Sequence, residues 1–169
     1  LFGLPADYDA LLPLARENGL KVIGDSAQGW GGVYKGQVTG SLCDISTTSF
    51  FPAKPLGCYG DGGAIFTDDD ELARVIDSLR VHGQGTHKYI NERIGLNSRL
   101  DTLQAAVLLQ KMTIYADELE ERNKIAQRYN EGLAPHFTVP VVPEGLTSIW
   151  AQYTITTKSK AERDAVQAR

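Results

Sequence analysis

The sequence predicts an α/β fold, and three stretches carry that reading. Lys21-Val22-Ile23 is a short apolar run near flanking glycines, the pattern of a strand inside an α/β layer. Residues 44–50 are rich in β-formers, with Ile45, Thr47, Thr48 and Phe50. Leu72, Val75, Ile76 and Leu79 recur at i, i+3, i+4 and i+7, the period of a helix with one apolar stripe.

Taken in order, residues 5–19 read as a helix, with Asp7 as N-cap and Gly19 at the stop position. Leu11, Leu12 and Ala15 are its expected core face, and Pro13 predicts a kink or a late start because it removes an interior hydrogen bond. Asp25 then falls just past the strand at 21–23, where open α/β sheets place ligands. Residues 29–40 are glycine-rich and read as loop or hairpin. Residues 64–67 form a further strand, entered through the glycines of 60–63. Asp68 with Glu71 three residues on predicts a capping-box start for the helix that ends near Gly83.

Residues 84–96 are polar and without period, so they read as a loop. A helix is expected from about Arg99, with Leu100, Leu103 and Val107 on one face and Asn97 or Ser98 as its cap. Residues 117–133 are highly charged, with Leu119, Ala126, Tyr129 and Leu133 as a thin apolar stripe, which fits a surface or connecting helix. Pro135, Pro140 and Pro143 mark a boundary, after which residues 148–157 alternate like a strand. Residues 161–169 have helix composition without a stop signal, and no methionine opens the chain, so both ends look cut. The organisation expected is 1–112 as part of a large domain, 113–134 as a connecting helix and 135–169 as the start of a small one.

Composition limits the function classes. A 169-residue chain can bury one sizeable core, and 42% hydrophobic with 22% charged residues is a globular balance. A net charge of −4 with no basic run argues against nucleic acid, and no apolar run approaches membrane-spanning length. Cys43 and Cys58 have neither disulfide-framework nor metal-ligand spacing, which suits a reducing cytoplasm and buried small side chains. His82, His87 and His136 lack paired ligand spacing, so no metal site is expected.

The chemistry concentrates in Ser49-Phe50-Phe51-Pro52-Ala53-Lys54-Pro55-Leu56-Gly57-Cys58-Tyr59-Gly60-Asp61-Gly62-Gly63. Lys54 is its one basic residue. Burial in such a segment would favour the neutral amine, a nucleophile suited to a Schiff base with a carbonyl. A surface loop lysine is the bland alternative. Asp25, 29 positions upstream, brings a carboxylate, and Ser49 brings a small hydroxyl donor suited to an anion. The glycines at 57, 60, 62 and 63 follow neither the dinucleotide fingerprint nor the P-loop spacing.

This lysine segment resembles that of the DegT/DnrJ/EryC1/StrS family of sugar aminotransferases, enzymes of fold-type I that use pyridoxal 5′-phosphate (PLP). Val22-Ile23-Gly24-Asp25-Ser26-Ala27-Gln28, Arg80-Val81-His82-Gly83 and Asn97-Ser98-Arg99-Leu100-Asp101 with Gln104-Ala105-Ala106 extend the resemblance along the chain. It implies a mixed, mostly parallel sheet in a large domain, followed by a small C-terminal α/β domain. It implies Lys54 as Schiff-base lysine and general acid/base, and Asp25 as the carboxylate that keeps the pyridine nitrogen protonated. Gln28 would contact the cofactor ring or its phenolic oxygen, and Ser49 the phosphate. Asn97 would reach the phosphate of the neighbouring subunit in a homodimer with shared sites, and His82 would line the site.

Gly24 stands where the family commonly has an acidic residue, and Pro55 where asparagine is frequent. The Lys-Pro-Leu-Gly-Cys-Tyr-Gly-Asp-Gly-Gly variant is most similar to the branch that aminates C3 of 3-keto UDP-N-acetyl-hexuronic acids, with glutamate as amino donor. The resemblance thus implies a cytoplasmic enzyme of amino-sugar and surface-polysaccharide (lipopolysaccharide) biosynthesis. The competing readings are the family's PLP-dependent sugar dehydratases, which carry histidine in place of the lysine, and a non-catalytic sensory relative, expected to lack Asp25 or Lys54. Lys54 and Asp25 speak against both.

Overall fold

The computed structural model describes residues 1–168; Arg169, the last residue of the expected C-terminal helix, lies outside them. Helix α1 (Tyr8–Glu17) starts later than residue 5, capped by Asp7, whose carboxylate accepts from the Ala10 amide at 3.3 Å. Pro13 sits inside it, and Gly19 follows its end at φ 64°. Of the expected core face, Ala15 is buried and Leu12 half-buried, but Leu11 is exposed. The helix instead presents Tyr8, Leu12 and Ala15, one i, i+4, i+7 stripe, with the Tyr8 ring edge against Tyr34 at 5.5 Å.

Strand β1 (Ile23–Asp25) begins two residues later than the apolar run. The Val22 amide is taken by the Asp44 carboxylate at 2.9 Å, so Asp25 is the last residue of the strand and not the first beyond it. Strands β2 (Val33–Tyr34) and β3 (Gln37–Val38) form a hairpin. Its two-residue turn, Lys35 at φ 48° and Gly36 at φ 86°, is left-handed as such turns require. Strands β4 (Ile45–Ser49) and β5 (Gly63–Phe66) follow the expected positions within a residue. The first sheet runs β1-β4-β5, parallel between β1 and β4 and antiparallel between β4 and β5, hence mixed.

Helix α2 (Asp70–Arg80) is capped by Asp69, one residue after the expected Asp68. The Thr67 hydroxyl accepts from the Asp69 amide, which extends the turn by that residue. Leu72, Val75, Ile76 and Leu79 are all half-buried, as one stripe. Helix α3 (Thr102–Met112) starts three residues after the expected Arg99. Asp101 caps it, because Asn97 and Ser98 are held in an extended path by pairing with Val81 and Arg80. Its expected apolar face is displaced: Leu100 precedes the helix, Leu103 is 78% exposed and Leu108 is the buried residue. Helix α4 (Tyr115–Leu133) buries Tyr115 and Ala126 and leaves Tyr129 exposed.

The strand expected over 148–157 is not one. Only β6 (Leu146–Thr147) is regular, and it joins β2 in a second sheet, β3-β2-β6, while Thr156 makes a single bridge to Thr138. Trp150 takes a left-handed backbone, φ 51°, which ends the extended run. Its indole N–H donates to Asn123 of α4 at 2.9 Å, and the Tyr153 hydroxyl donates to Asn130 at 2.6 Å. Ile149, 1% exposed, donates its amide to the Gly3 carbonyl, so this segment packs back against the chain's first residues. Helix α5 (Lys160–Gln167) is capped by Ser159.

The core lies beneath the lysine segment. Phe50, Leu56, Cys58, Leu108 and Tyr115 form it, with Trp30, Ala64 and Leu119 packed against them. The Trp30 ring stacks on Phe66 at 6.2 Å and on Tyr115 at 5.5 Å, and the buried Tyr115 hydroxyl donates to the Trp30 carbonyl at 2.7 Å.

Candidate active site

The parallel pairing of β1 with β4 decides the geometry. Asp25 stands opposite Thr47, and Ser49 lies two residues further along β4 on the same face. With a rise of about 3.3 Å per residue and about 4.8 Å between strands, the Asp25 and Ser49 Cα atoms are about 8 Å apart. Both therefore open at the carboxyl edge of the sheet, and Lys54 follows on the loop leaving β4.

Each side chain has one hydrogen-bonding capacity used locally. The Asp25 carboxylate accepts from the Ala27 amide at 2.9 Å through Oδ1. Ser49 Oγ accepts from the Phe51 amide at 3.3 Å, which leaves its O–H to donate outward. Gln28 sits in the turn after β1, where the Gly29 and Trp30 amides both donate to the Ser26 carbonyl; its Oε1 accepts from Gln152 at 3.4 Å. Lys54 is half-buried, less than its surroundings in sequence imply, and it makes none of the ion pairs among the described residues.

The loop holding Lys54 is tightly built. The Lys54 amide donates to the Phe51 carbonyl and the Cys58 amide to the Phe50 carbonyl, both at 2.8 Å. Cys58 is fully buried, as expected of a small core side chain, and its Sγ lies 3.0 Å from the carbonyl oxygens of Phe50 and Gly60. Cys43, expected to be buried as well, is only half so; burial pushes its thiol up, and burial pushes the neighbouring Tyr8 phenol up to about 12. Gly57 has no room for a side chain: a Cβ there would sit 2.6 Å from the Pro52 carbonyl oxygen.

Asn97 stands on the extended path that pairs with Val81. It lines a cavity of about 1190 Å³ along β5, together with Thr47, Gly62, Gly63 and Arg99, to which Asp25, Ser49 and Lys54 do not contribute. Its Oδ1 accepts from Arg99 Nε at 3.0 Å. The α3 amides expected beside Asn97 are met instead by the Asp101 cap, which bonds Gln104 N at 2.9 Å. His82 is exposed at φ 60°, its carbonyl bonded by the Asn91 side chain.

Two residues without a sequence-assigned role touch the lysine loop, Gln104 of the quoted Gln104-Ala105-Ala106 motif and Lys111. Gln104 Oε1 accepts from the Tyr59 amide at 2.8 Å, and Lys111 Nζ donates to the Gly57 carbonyl at 2.6 Å. Seven residues apart on α3, they share a helix face, a spacing visible in the sequence but carried by polar residues.

The whole chain, residues 1–169, matches the model of the DegT/DnrJ/EryC1/StrS aminotransferase family. This chain belongs to that family. Over 169 residues it is 47% identical to the UDP-2-acetamido-2-deoxy-3-oxo-D-glucuronate aminotransferase of Pseudomonas aeruginosa, matching 99% of this chain and 46% of that protein. A crystal structure of a family aminotransferase from Brucella abortus superposes with a TM-score of 0.94 at 50% identity, covering 99% of this chain and 45% of the other. The S. venezuelae DesV structure, in complex with a ketimine intermediate, gives 0.91 at 40% identity, covering 100% and 46%. The chain thus spans about half the length of the relatives it matches.

Proposed function

We propose that the whole protein is a PLP-dependent aminotransferase acting on a nucleotide-linked keto sugar. One observation carries this reading. Asp25 and Ser49, a carboxylate and a hydroxyl, lie at the carboxyl edge of two adjacent strands and the amine of Lys54 follows on the loop leaving β4, a donor set that suits a pyridine ring bearing a phosphate and an aldehyde. PLP, when bound, supplies the electron sink for breaking bonds at the carbon beside the amine nitrogen.

The residues divide the remaining work. Asp25 would hold the proton on the ring nitrogen, its carboxylate oriented by the bond that Oδ1 accepts from the Ala27 amide. The Ser49 hydroxyl donates to a phosphate oxygen, and Gln28 meets the ring or its phenolic oxygen. Lys54 would hold the cofactor through its amine and would serve as the general acid/base for the proton at the substrate carbon.

The similarity to the Pseudomonas aeruginosa enzyme favours a 3-keto UDP-N-acetyl-hexuronic acid as substrate, with glutamate as donor. Such a product suits surface-polysaccharide assembly in the cytoplasm. Incubating the whole protein with glutamate and a panel of keto nucleotide sugars, read by mass spectrometry, tests it. The expected product is the amine of the 3-keto uronic acid; no amination of any panel member overturns the proposal.

The active unit proposed is a homodimer in which Asn97 of the partner subunit completes each phosphate site. Asn97 lines a cavity to which Ser49 does not contribute, and among the described residues its amide N–H groups donate to no partner while Oδ1 accepts from Arg99. Mixing inactive Lys54→Ala and Asn97→Asp proteins tests this, since one site of each mixed dimer bears neither lesion. Partial recovery is expected; no recovery under demonstrated subunit exchange places Asn97 within its own site.

A further inference from the structure

We propose that Gln104 and Lys111 are positioning residues for Lys54, fixing the loop that carries it against helix α3. The proposal rests on Lys54 being the Schiff-base lysine. Residues 50–62 form a long connection between two short strands, and a catalytic amine on such a loop needs its root held. Among the described residues, backbone bonds, the Cys58 thiol and the Ser49 hydroxyl at its root hold the loop locally. From outside, α3 supplies two anchors, Gln104 to the Tyr59 amide and Lys111 to the Gly57 carbonyl.

The Lys111 anchor leads to Lys54 through Gly57 and Phe51. Its ammonium holds the Gly57 carbonyl at 2.6 Å. Gly57 presses on the Phe51 and Pro52 carbonyls so closely that a Cβ would come within 2.7 and 2.6 Å of them. The Phe51 carbonyl accepts from the Lys54 amide at 2.8 Å. A shift at Gly57 therefore moves the turn from which the Lys54 side chain springs.

The chemistry of Lys111 is itself unusual for a half-buried lysine. Among the described residues its amine pairs with no carboxylate, and sits instead on a carbonyl oxygen with the Tyr59 ring 5.3 Å away. A lysine in the last turn of a helix suits the dipole wherever its head lies. Here the head reaches across to another element. The Asp101 cap fixes where α3 begins, so both anchors are set on one face by the same helix.

The test uses the whole protein loaded with PLP, comparing Lys111→Met, Lys111→Arg, Gln104→Leu and Gln104→Glu with the parent. Arginine keeps a donor for Gly57, and glutamate keeps an acceptor for Tyr59. Lys111→Met and Gln104→Leu are expected to lower kcat at least about tenfold, as a misplacement of order 1 Å does. They should also shift the pH midpoint of the visible band of lysine-bound PLP and weaken PLP affinity measured by fluorescence, with sugar KM unchanged. The Arg and Glu variants should recover most of each signal. Unchanged spectra and kcat in Lys111→Met and Gln104→Leu, or losses that track thermal unfolding and are not rescued, overturn the proposal. Borohydride labelling of the parent separates the two readings: a pyridoxyl group on another lysine sinks the Lys54 assignment itself, whatever the variants do.

Discussion

Two loops carry the candidate chemistry, and they are held in opposite ways. Residues 50–62 are tied by bonds to their own carbonyls and to α3, and beneath them lies the core of Phe50, Leu56, Cys58, Leu108 and Tyr115. Residues 83–96 bond to one another and to the end of α2, for instance Leu96 N to the Leu79 carbonyl and Ser78 Oγ to the Gln84 carbonyl. Their apolar side chains face outward, Ile94 99% and Tyr89 79% exposed. A loop fixed from within can hold a reacting group by itself. A loop tied to itself and to the end of α2, with apolar tips outward, offers those tips to another surface, and in the proposed homodimer that surface would be the partner subunit.

The sharpest way to break this contrast lies on the fixed side. Asp25→Asn removes the charge that, in the proposed role, would hold the ring proton, an interaction of roughly 5 kcal/mol at ~3 Å and an effective dielectric of ~20. Allowing for desolvation, turnover is expected to fall at least about 1000-fold, or about 4 kcal/mol. Steady-state kinetics of the loaded enzyme checks it, and turnover within about threefold of the parent removes Asp25 from that role.

Gly57→Ala probes the packing of the same loop. The new methyl meets backbone oxygens that have no side-chain freedom to yield, so a loss of about 3 kcal/mol in unfolding free energy is expected. Denaturant titration measures it; a change under about 0.5 kcal/mol means the loop is looser than its contacts imply.

On the open side, Ile94→Asp places a charge on the most exposed apolar tip. Dimer affinity is expected to weaken about tenfold, roughly 1.4 kcal/mol, with the fold of the subunit unchanged. Sedimentation over a concentration series reads this, and an unaltered dimer constant takes Ile94 out of the interface.

The smallest expected effect concerns the ground beneath both loops. Tyr115→Phe leaves the Trp30 carbonyl without its donor and should cost about 1 kcal/mol. Burial pushes the Tyr115 phenol up to about 12 from 10.0. A raised folded value means the neutral phenol stabilises the fold fully below pH 10, and that contribution is lost as pH rises through about 12. The variant should therefore show a shallower decline in stability across that window than the parent; parallel declines contradict the sign.

The fixed loop was the more legible of the two in sequence, because glycine, proline and a lone lysine are local signals. Asp25 and Ser49 followed from short apolar runs, and the strand register then brought them to one edge. Asn97 was harder. Asn97, Ser98 and Asp101 are all capping residues, and only the pairing of Asn97 with Val81 shows that Asp101 starts the helix. Gln104 and Lys111 escaped because hydrophobic periodicity does not register a helix face whose inward contacts are polar, while Leu103 on that helix is exposed. Likewise, the alternation over 148–157 said nothing of Trp150 turning left-handed to reach Asn123.

The central claim is that Lys54 is the group that holds the cofactor. Borohydride reduction of the PLP-loaded whole protein, followed by proteolysis and peptide mapping, tests it directly. The expected result is a single pyridoxyl modification on the peptide containing Lys54, absent when Lys54 is replaced by alanine. A modification on Lys21, Lys35 or Lys88, with Lys54 unlabelled, contradicts the account.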